Sequence, residues 1–464
     1  MLKLYNSLTR SVDDFYSIKE KNVSIYSCGP TVYKYAHIGN MRAYVFMDTL
    51  IGVLKNNGYT VKAVMNITDV GHLTDDSDSG EDKVEKAAKY EGQTVDHITK
   101  KYTDAFIEDA KKLNINLDNI MMPKATDHIK EMIEYIKEII ENGFAYVIDG
   151  SVYFDVEKYN KKYTYGELSR VNLEDQFAGA RVEVDSKKKN PYDFALWIKA
   201  PSNHIMKWDS PWSVGYPGWH IECNAMGQKY LGEKFDIHTG GIDHIRFHHD
   251  NEICQSRARY GNNHSNFWLH CEFLNMGGNK LSKSSGELIT ISELEKKGYS
   301  ALDFRYFLLN ASFFKAQNFS YDALSAARTS MSRLNDLVLQ NKDKTSDVDQ
   351  TQIDKYKSEF YRSVNDNLNT SLGLAVVWEM LKNMPKSSYV YDCVMEFDKI
   401  LGLSLGSRKE DISDIPEDVI HLAEKRKNAR VDKNYELSDN LRKEIENKGY
   451  IVEDIASGYK LKRR

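Results

Sequence analysis

The sequence predicts an α/β protein: a parallel-sheet domain interrupted by an inserted α+β segment, then a helical bundle and a small C-terminal module. Three observations predict it. A strand–loop–helix–strand unit spans Val23 to Thr68, the smallest piece of a parallel sheet. Short apolar runs separated by helical patterns resume between Trp219 and Leu274, as a second half of the same sheet requires. From Ser300 onward the apolar period is that of helices, and no further strand is expected.

In the first unit the alternating run Val23-Ser24-Ile25-Tyr26-Ser27 reads as a strand, broken by Gly29-Pro30. Asn40 is expected to cap the next helix, on which Phe46, Leu50, Val53 and Leu54 share a face. Asn57-Gly58 ends that helix, and Tyr59 to Thr68 is the second strand. A loop so placed lies at the carboxyl edge of the sheet, where ligands bind and a helix N-terminus offers unpaired N–H groups. The acidic run Asp75–Asp82 reads as a surface loop without calcium-loop spacing. Helices are expected over 83–143, the last with an apolar stripe of Ile129, Ile133, Ile136 and Ile140. Ser151–Val156 and Val182–Val184 read as strands and Lys187–Pro191 as a basic turn, which together make the insertion.

In the second half, Pro217–Cys223 leads into a helix reaching Tyr230, and Phe235–His238 is a strand running into Thr239-Gly240-Gly241-Ile242-Asp243. Another helix is expected to carry His248-His249-Asp250-Asn251-Glu252. Phe267–Leu274 is a strand that Gly277-Gly278 turns into Lys280-Leu281-Ser282-Lys283-Ser284. Helices follow at 301–340, 353–384 and 388–402, and in the tail at 416–430 and 434–447.

Composition narrows the class. At 464 residues the chain holds several domains with sizeable cores, and 41% hydrophobic with 28% charged residues fits a soluble globular protein. No apolar run is long enough to span a bilayer, and the N-terminus lacks a signal-peptide core, so no membrane partner is expected. Five scattered cysteines without a Cys-x-x-Cys pair point to a reducing compartment, with the cytoplasm as the default location. The net charge of −5 does not advertise a nucleic-acid binder, but residues 421–464 carry twelve Lys/Arg against eight Asp/Glu, a local net of +4.

The residues that carry chemistry come from separated stretches. His248 and Glu252 stand at i and i+4, a spacing that can ligate one metal; Cys28 and Cys223 could complete a tetrahedral set, although spacing alone does not bring them together. His37-Ile38-Gly39-Asn40 and, far downstream, Lys280-Leu281-Ser282-Lys283-Ser284 resemble the two signatures of class I aminoacyl-tRNA synthetases. Cys28-Gly29-Pro30-Thr31-Val32-Tyr33, Gly218-Trp219-His220-Ile221-Glu222-Cys223 and His248–Glu252 resemble the signature blocks of the cysteinyl-tRNA synthetase family, and the resemblance runs from Leu2 to the C-terminus. Asn365–Thr370 and Arg426–Glu444 take part in it.

That resemblance implies a Rossmann-type catalytic domain in two halves, 1–118 and 206–270, around an insertion at 119–205. It also implies a stem-contact segment at 271–310 with the Lys280–Ser284 loop, a helical bundle at 311–404 and an anticodon-binding domain at 405–464. It implies a monomer that activates L-cysteine with ATP and Mg2+ and charges tRNA(Cys). One zinc per subunit would be held by Cys28, Cys223, His248 and Glu252. Zinc prefers a thiolate over a hydroxyl, so cysteine would be told from serine without an editing domain. ATP phosphates would meet His37, Gly39 and Asn40, with Lys280 and Lys283 stabilising developing charge; Gly241 and Asp243 would border the adenosine. Where the family has a second His this chain has Asn40, which donates a hydrogen bond but carries no proton. Cys28, Thr31, Trp219 and His238 would border the amino acid. Arg430, Tyr435, Asp439 and Asp454 would read the anticodon by bidentate, stacking and acceptor contacts. Three other readings compete: a cysteine ligase acting on an amino-sugar acceptor, a small-molecule adenylyltransferase using the His37 loop, and a zinc hydrolase built on His248 and Glu252.

Overall fold

The unit expected over Val23–Thr68 is the centre of the computed structural model, which describes residues 1–71, 81–170, 188–276, 279–280, 289–406, 416–432, 434–455 and 458–463. These fall into two compact units, 1–405 and 406–464.

The first unit opens with a hairpin, β1 (Lys3–Asn6) and β2 (Ser11–Asp14). Then come β3 (Asn22–Ser27), α1 (Ile38–Asn56) and β4 (Thr60–Met65), followed by α2 (Lys83–Glu91), α3 (Val95–Lys112) and the short β5 (Ile120–Met121). After α4 (Ile129–Glu141), an antiparallel sheet forms from β6 (Ala145–Ile148), β7 (Ser151–Phe154), β8 (Phe194–Lys199) and β9 (Gly215–Pro217), with α5 (Val156–Asn160) between β7 and β8. The central sheet resumes through α6 (Ile221–Leu231), β10 (Phe235–Gly241), α7 (Asp250–Tyr260) and β11 (Ser265–Cys271). Its order is β11-β10-β3-β4-β5, all neighbours parallel. The chain builds outward from β3 in one direction and from β10 in the other, so the carboxyl ends of β3 and β10 form the switch point where such sheets bind ligands.

Next to this sheet lie β12 (Leu274–Met276), β13 (Asn279–Lys280) and β14 (Gln317–Phe319), with β12 in the middle. Short helices α8 (Ile291–Lys296) and α9 (Ala301–Leu309) lead into the bundle of α10 (Tyr321–Leu339), α11 (Gln350–Asn365), α12 (Thr370–Asn383) and α13 (Ser388–Leu401). The second unit has α14 (Glu417–Val431), α15 (Tyr435–Asn447) and a hairpin of β15 (Tyr450–Ile455) and β16 (Gly458–Arg463), around Val419, Ala423, Ile445, Tyr450 and Val452.

Several expectations are corrected. The cap of α1 is His37, and Asn40 is the third helical residue: His37 Nδ1 accepts from the Asn40 amide at 3.3 Å while Asn40 Oδ1 accepts from the His37 amide at 3.2 Å. This is a capping box, which satisfies two end donors reciprocally. Helical pattern over 83–143 hides β5, a two-residue strand too short to show a period. The buried face of α4 is centred on Met132, Tyr135, Ile136 and Ile139, with Ile133 and Ile140 at its margins. Strands do not end at Ser300: β14 pairs with β12 and buries Gln317 and Phe319, and β15 pairs with β16 in the second unit. Asp82 is no surface residue; it is buried and caps α2 by accepting from Val84 and Glu85. Val182–Val184 and most of Asp75–Asp82 lie outside the described residues.

Two buried guanidinium groups brace the first unit. Arg42, on α1 one turn past the cap, donates to the carbonyls of Phe273 (2.5 Å), Ser312 (2.9 Å) and Lys315 (2.7 Å), tying α1 to the start of β12 and to the chain entering β14. Arg305, on α9, donates to the carbonyls of Leu401, Leu113 and Asn114 and pairs with Asp48 of α1 at 2.6 Å. Gly402 sits against it with φ of 64°, and a Cβ there would come within 2.3 Å of the guanidinium. Removing one partner of such a buried pair is costly, so Arg305→Met is expected to lower unfolding free energy by about 3–5 kcal/mol in urea melts.

A pH dependence follows from Asp82. Burial outweighs the N–H bonds from Glu85, Val84 and Gly71 and pushes its carboxyl up to about 6. A folded pKa above the unfolded one adds stability at low pH that is lost as pH rises through about 6. Asp82→Asn keeps the cap and removes the titration. Its unfolding free energy, measured beside wild type in urea melts, is expected to match it near pH 4 and exceed it near pH 7 by the order of 2–3 kcal/mol.

Candidate active site and metal centre

Three loops meet where β3 and β10 end. After β3 the chain turns at Cys28-Gly29; a Cβ on Gly29 would stand 1.6 Å from the Asn66 carbonyl, so only glycine lets this loop press against the end of β4. The Gly29 N–H is held by Asn66 Oδ1 at 2.9 Å. After β9, Gly218 packs against the Ala195 carbonyl and α6 starts at Ile221, which carries Glu222 and Cys223 into the interior. After β10, a short turn at Ile242–His244 leads into Arg246 and Phe247, and Phe247 takes φ of 68°. That rarely populated conformation re-aims the backbone so that His248 and His249 point inward just ahead of α7. The expected single helix through His248 therefore begins only at Asp250, yet the i, i+4 contact survives: His248 Nε2 lies 3.0 Å from Glu252 Oε1.

These loops bring together the four donors that spacing alone could not join. Cys28 and Cys223 sulfurs are 4.0 Å apart, Cys223 Sγ is 3.6 Å from His248 Nε2, and all four ligand atoms lie within 4.8 Å of one another. A tetrahedral zinc site has ligand–ligand edges of roughly 3.3–3.8 Å, so the set is close to closing on an ion. Glu252 Oε1 is buried and its near neighbour is another donor of the set, His248 Nε2 at 3.0 Å. The outer supports are present too. His220 Nδ1 lies 3.0 Å from His248 Nδ1, and His238 Nε2 lies 2.8 Å from Glu252 Oε2.

Charge is shared tightly here. Burial disfavours the Glu252 carboxylate, but His238 and His248 outweigh it and hold the group well below the usual carboxylate range. Burial likewise opposes a charged His248, and Glu252 wins, lifting it to about 10. Burial also opposes ionisation of Cys28, yet Cys223 and the imidazoles of His249, His244 and His248 pull its thiol well down. Cys223 is pushed well up by Cys28 and by burial. One thiolate forms readily and holds the second proton in place, a coupling that a dication would release.

The cluster opens into a cavity of about 640 Å³, a volume that accepts a nucleotide with an amino acid. His37, Gly39 and Asn40 line it at the N-terminus of α1, Gly241 and Asp243 at the end of β10, and Thr31, Trp219, Cys28 and Cys223 at its inner end. The Trp219 ring lies 4.6 Å from that of His248. His238 is the exception among the residues expected at the amino acid: it is fully buried behind Glu252 and does not line the cavity. Lys280 lies on β13, paired with Asn275, and Lys283 falls outside the described residues. His220, His244 and His249 went unread in the sequence; the only signal was the density of histidine between 220 and 249.

In the second unit, Asp454 is gripped by the buried Arg426 through two bonds of 2.7 and 3.1 Å, and Arg430 approaches it at 3.3 Å. Its carboxylate is shared between the two guanidinium groups and is still 39% exposed. Arg430, Tyr435 and Asp439 are exposed, Tyr435 at the first turn of α15.

Comparison with known proteins agrees with this arrangement. The family described as tRNA synthetases class I (C) catalytic domain matches residues 14–329. A cysteine–tRNA ligase of Treponema denticola is 44% identical, covering 98% of each chain. Cysteine–tRNA ligase 1 of Burkholderia lata is 41% identical over 99% of this chain and 96% of its own, and the cysteine–tRNA ligase of Caldicellulosiruptor saccharolyticus is 38% identical over the whole of both. Among solved structures, a Mycobacterium tuberculosis methionyl-tRNA synthetase bound by methionyl-adenylate superposes with a TM-score of 0.55 at 14% identity, covering 82% of this chain and 89% of its own, a likeness of fold. The chain belongs to the cysteine–tRNA ligase family of class I aminoacyl-tRNA synthetases.

Proposed function

We propose that the cavity at the β3–β10 switch point is where this cysteine–tRNA ligase activates L-cysteine with ATP and transfers it to tRNA(Cys). One observation carries the reading: Cys28, Cys223 and His248 of a buried Cys–Cys–His–Glu set line the same cavity as the helix N-terminus bearing His37, Gly39 and Asn40. In the first step the cysteine carboxylate attacks the ATP α-phosphorus and pyrophosphate leaves. In the second, the terminal ribose hydroxyl of tRNA attacks the activated carbonyl, its proton is lost and AMP departs. Neither step needs a protein nucleophile; positioning and charge stabilisation carry the rate.

His37, Gly39 and the first N–H groups of α1 cradle the phosphates, and Asn40 donates through its amide nitrogen because its oxygen is spent on the cap. Lys280 and Lys283 share the charge that Mg2+ leaves on the phosphates. Gly241 and Asp243 border the ribose. Trp219 and Thr31 wall the amino acid, while His238 acts only through Glu252. Cys28, Cys223, His248 and Glu252 hold one zinc, which when bound offers a soft contact to a thiolate and a poor one to a hydroxyl. Arg430, Tyr435 and Asp439 supply the exposed contacts to the anticodon, with Asp454 shaping the surface through Arg426. The chain works in the cytoplasm as a monomer; no described helix is long and apolar enough to cross a membrane.

Amino-acid-dependent ATP–pyrophosphate exchange tests the reading. Exchange is expected with cysteine, absent with serine, lost on chelation and restored by zinc; no exchange with cysteine in the zinc-loaded protein would refute it. Asn40 has its own test. Asn40→Asp keeps the capping oxygen and deletes the donor, so the exchange rate is expected to fall roughly ten- to hundredfold with melting temperature unchanged. Asn40→Ala is expected to lose the rate and also about 1 kcal/mol of stability.

A further inference from the structure

The turn between β10 and α7 sets two side chains in the wall of the cavity to which the reaction above gives no part. Arg246 and Phe247 both line it, and both are exposed. Among the described residues lining the cavity, Phe247 is the only large apolar side chain that stays exposed, at 37%. Its backbone, at φ of 68° and ψ of −69°, is one that a bulky residue rarely adopts. Turning His248 and His249 inward requires that backbone and not the ring, because glycine takes such angles at lower cost. A ring strained at its root and wet on its face gains little from packing, and such outliers mark functional positions. The sheet fixes where this turn lies. β3 passes through α1 to β4 in one direction along the sheet, and β10 passes through α7 to β11 in the other. Parallel crossovers are right-handed, so the two helices cover opposite faces. Accordingly α1 packs on α13 and β12, and α7 on α4 and α6. His37, Gly39 and Asn40 therefore enter the cavity from one face of the sheet, and Arg246 and Phe247 from the other.

We propose that Phe247 and Arg246 seat the 3′-terminal nucleotide of the tRNA during transfer: the ring stacks on the terminal base, and the guanidinium takes the phosphodiester just before it. The proposal rests on the reaction assigned to the cavity above and adds the acceptor's own subsite. ATP phosphates meet the α1 side, so a second nucleotide that must reach the same activated carbonyl comes in from the α7 side. An unpaired RNA end offers what this turn can hold. Its base presents a face that an aromatic ring stacks on whatever the base, and its phosphate matches the fork of a guanidinium. Held at base and phosphate, the ribose between them has its hydroxyls positioned for attack.

Single-turnover transfer from preformed cysteinyl-adenylate tests it, with ATP–pyrophosphate exchange measured on the same full-length preparations. The acceptors are intact tRNA(Cys) and tRNA(Cys) whose terminal ribose lacks its base; the variants are Phe247→Leu, Phe247→Tyr and Arg246→Gln. At subsaturating tRNA, removing the base is expected to slow transfer by wild type about five- to a hundredfold. Phe247→Leu is expected to slow transfer to intact tRNA by a similar factor, at least about fivefold beyond any change in exchange. Combined, the two losses are expected not to multiply, because both remove one contact. Phe247→Tyr is expected to keep most of the rate. Arg246→Gln is expected to raise the half-saturating tRNA concentration and to flatten the plot of log affinity against log salt by about 0.7, one single-strand phosphate contact. Losses that multiply, equal use of both acceptors by wild type, equal loss in the Leu and Tyr variants, or an unchanged salt slope would each overturn the proposal. So would a Phe247→Leu loss that appears as a raised KM for ATP in exchange, which would give the ring to the adenine of ATP. The acceptor lacking its base needs no variant, so the test stands even where Phe247→Leu misfolds. Absence of exchange in wild type would instead overturn the reaction assigned to the cavity, and this proposal with it.

Discussion

Everything at the active end of this molecule depends on one constraint: a carboxylate, two thiols and several imidazoles are buried together where parallel strands end. Such a set is unstable left to itself, because an ion taken from water costs several kcal/mol and mutual pairing repays it only in part. Glu252 is offset by His238 and His248, and Cys28 by Cys223 and His249, but each of these groups is itself cut off from water. A dication relieves these tensions at once, and that makes the donor set legible as a metal centre without an ion in view. The surrounding architecture serves the set. Gly29 and Gly240 admit close contacts, and the unusual backbone at Phe247 turns two histidines inward.

The parallel sheet was readable in the sequence because its strands are short, apolar and separated by helices with clear stop signals, as at Asn57-Gly58. The signature residues His37, Cys28, Cys223, His248 and Glu252 were readable by resemblance; the first four line one cavity, and Glu252 lies buried within 4.8 Å of Cys28, Cys223 and His248. What escaped was of three physical kinds. Two-residue strands such as β5 have no period to detect. Caps depend on backbone angles, so Asn40 looked like the cap when His37 holds that place and Asn40 closes the box from inside. Long-range polar partners leave no local trace: nothing near Asp454 announces that Arg426 grips it, and nothing near Arg42 announces the carbonyls of Ser312 and Lys315.

The same holds for His238. A histidine at the end of a strand bordering the binding edge reads as a pocket residue, yet its 2.8 Å contact with Glu252 places it one layer behind the cavity wall. Alternation along β10 allows either side, and only the packing of α7 against the sheet decides. Residues of this kind set the orientation and basicity of the side chain they hold, here Glu252.

Arg305 has a consequence for modularity. Its guanidinium gathers carbonyls from the end of α3 and the end of α13 and a carboxylate from α1, so the nucleotide-binding sheet and the bundle that follows it share a single buried charge. A fragment ending before the bundle would keep Arg305 with Asp48 and the carbonyls of Leu113 and Asn114 but strip its guanidinium of the Leu401 carbonyl. The bundle is thus joined to the sheet it follows at one buried charge, which would be left with an unfilled donor if the bundle were removed. The hairpin-and-helix unit after 406 is built around a small core of its own, Val419, Ala423, Ile445, Tyr450 and Val452.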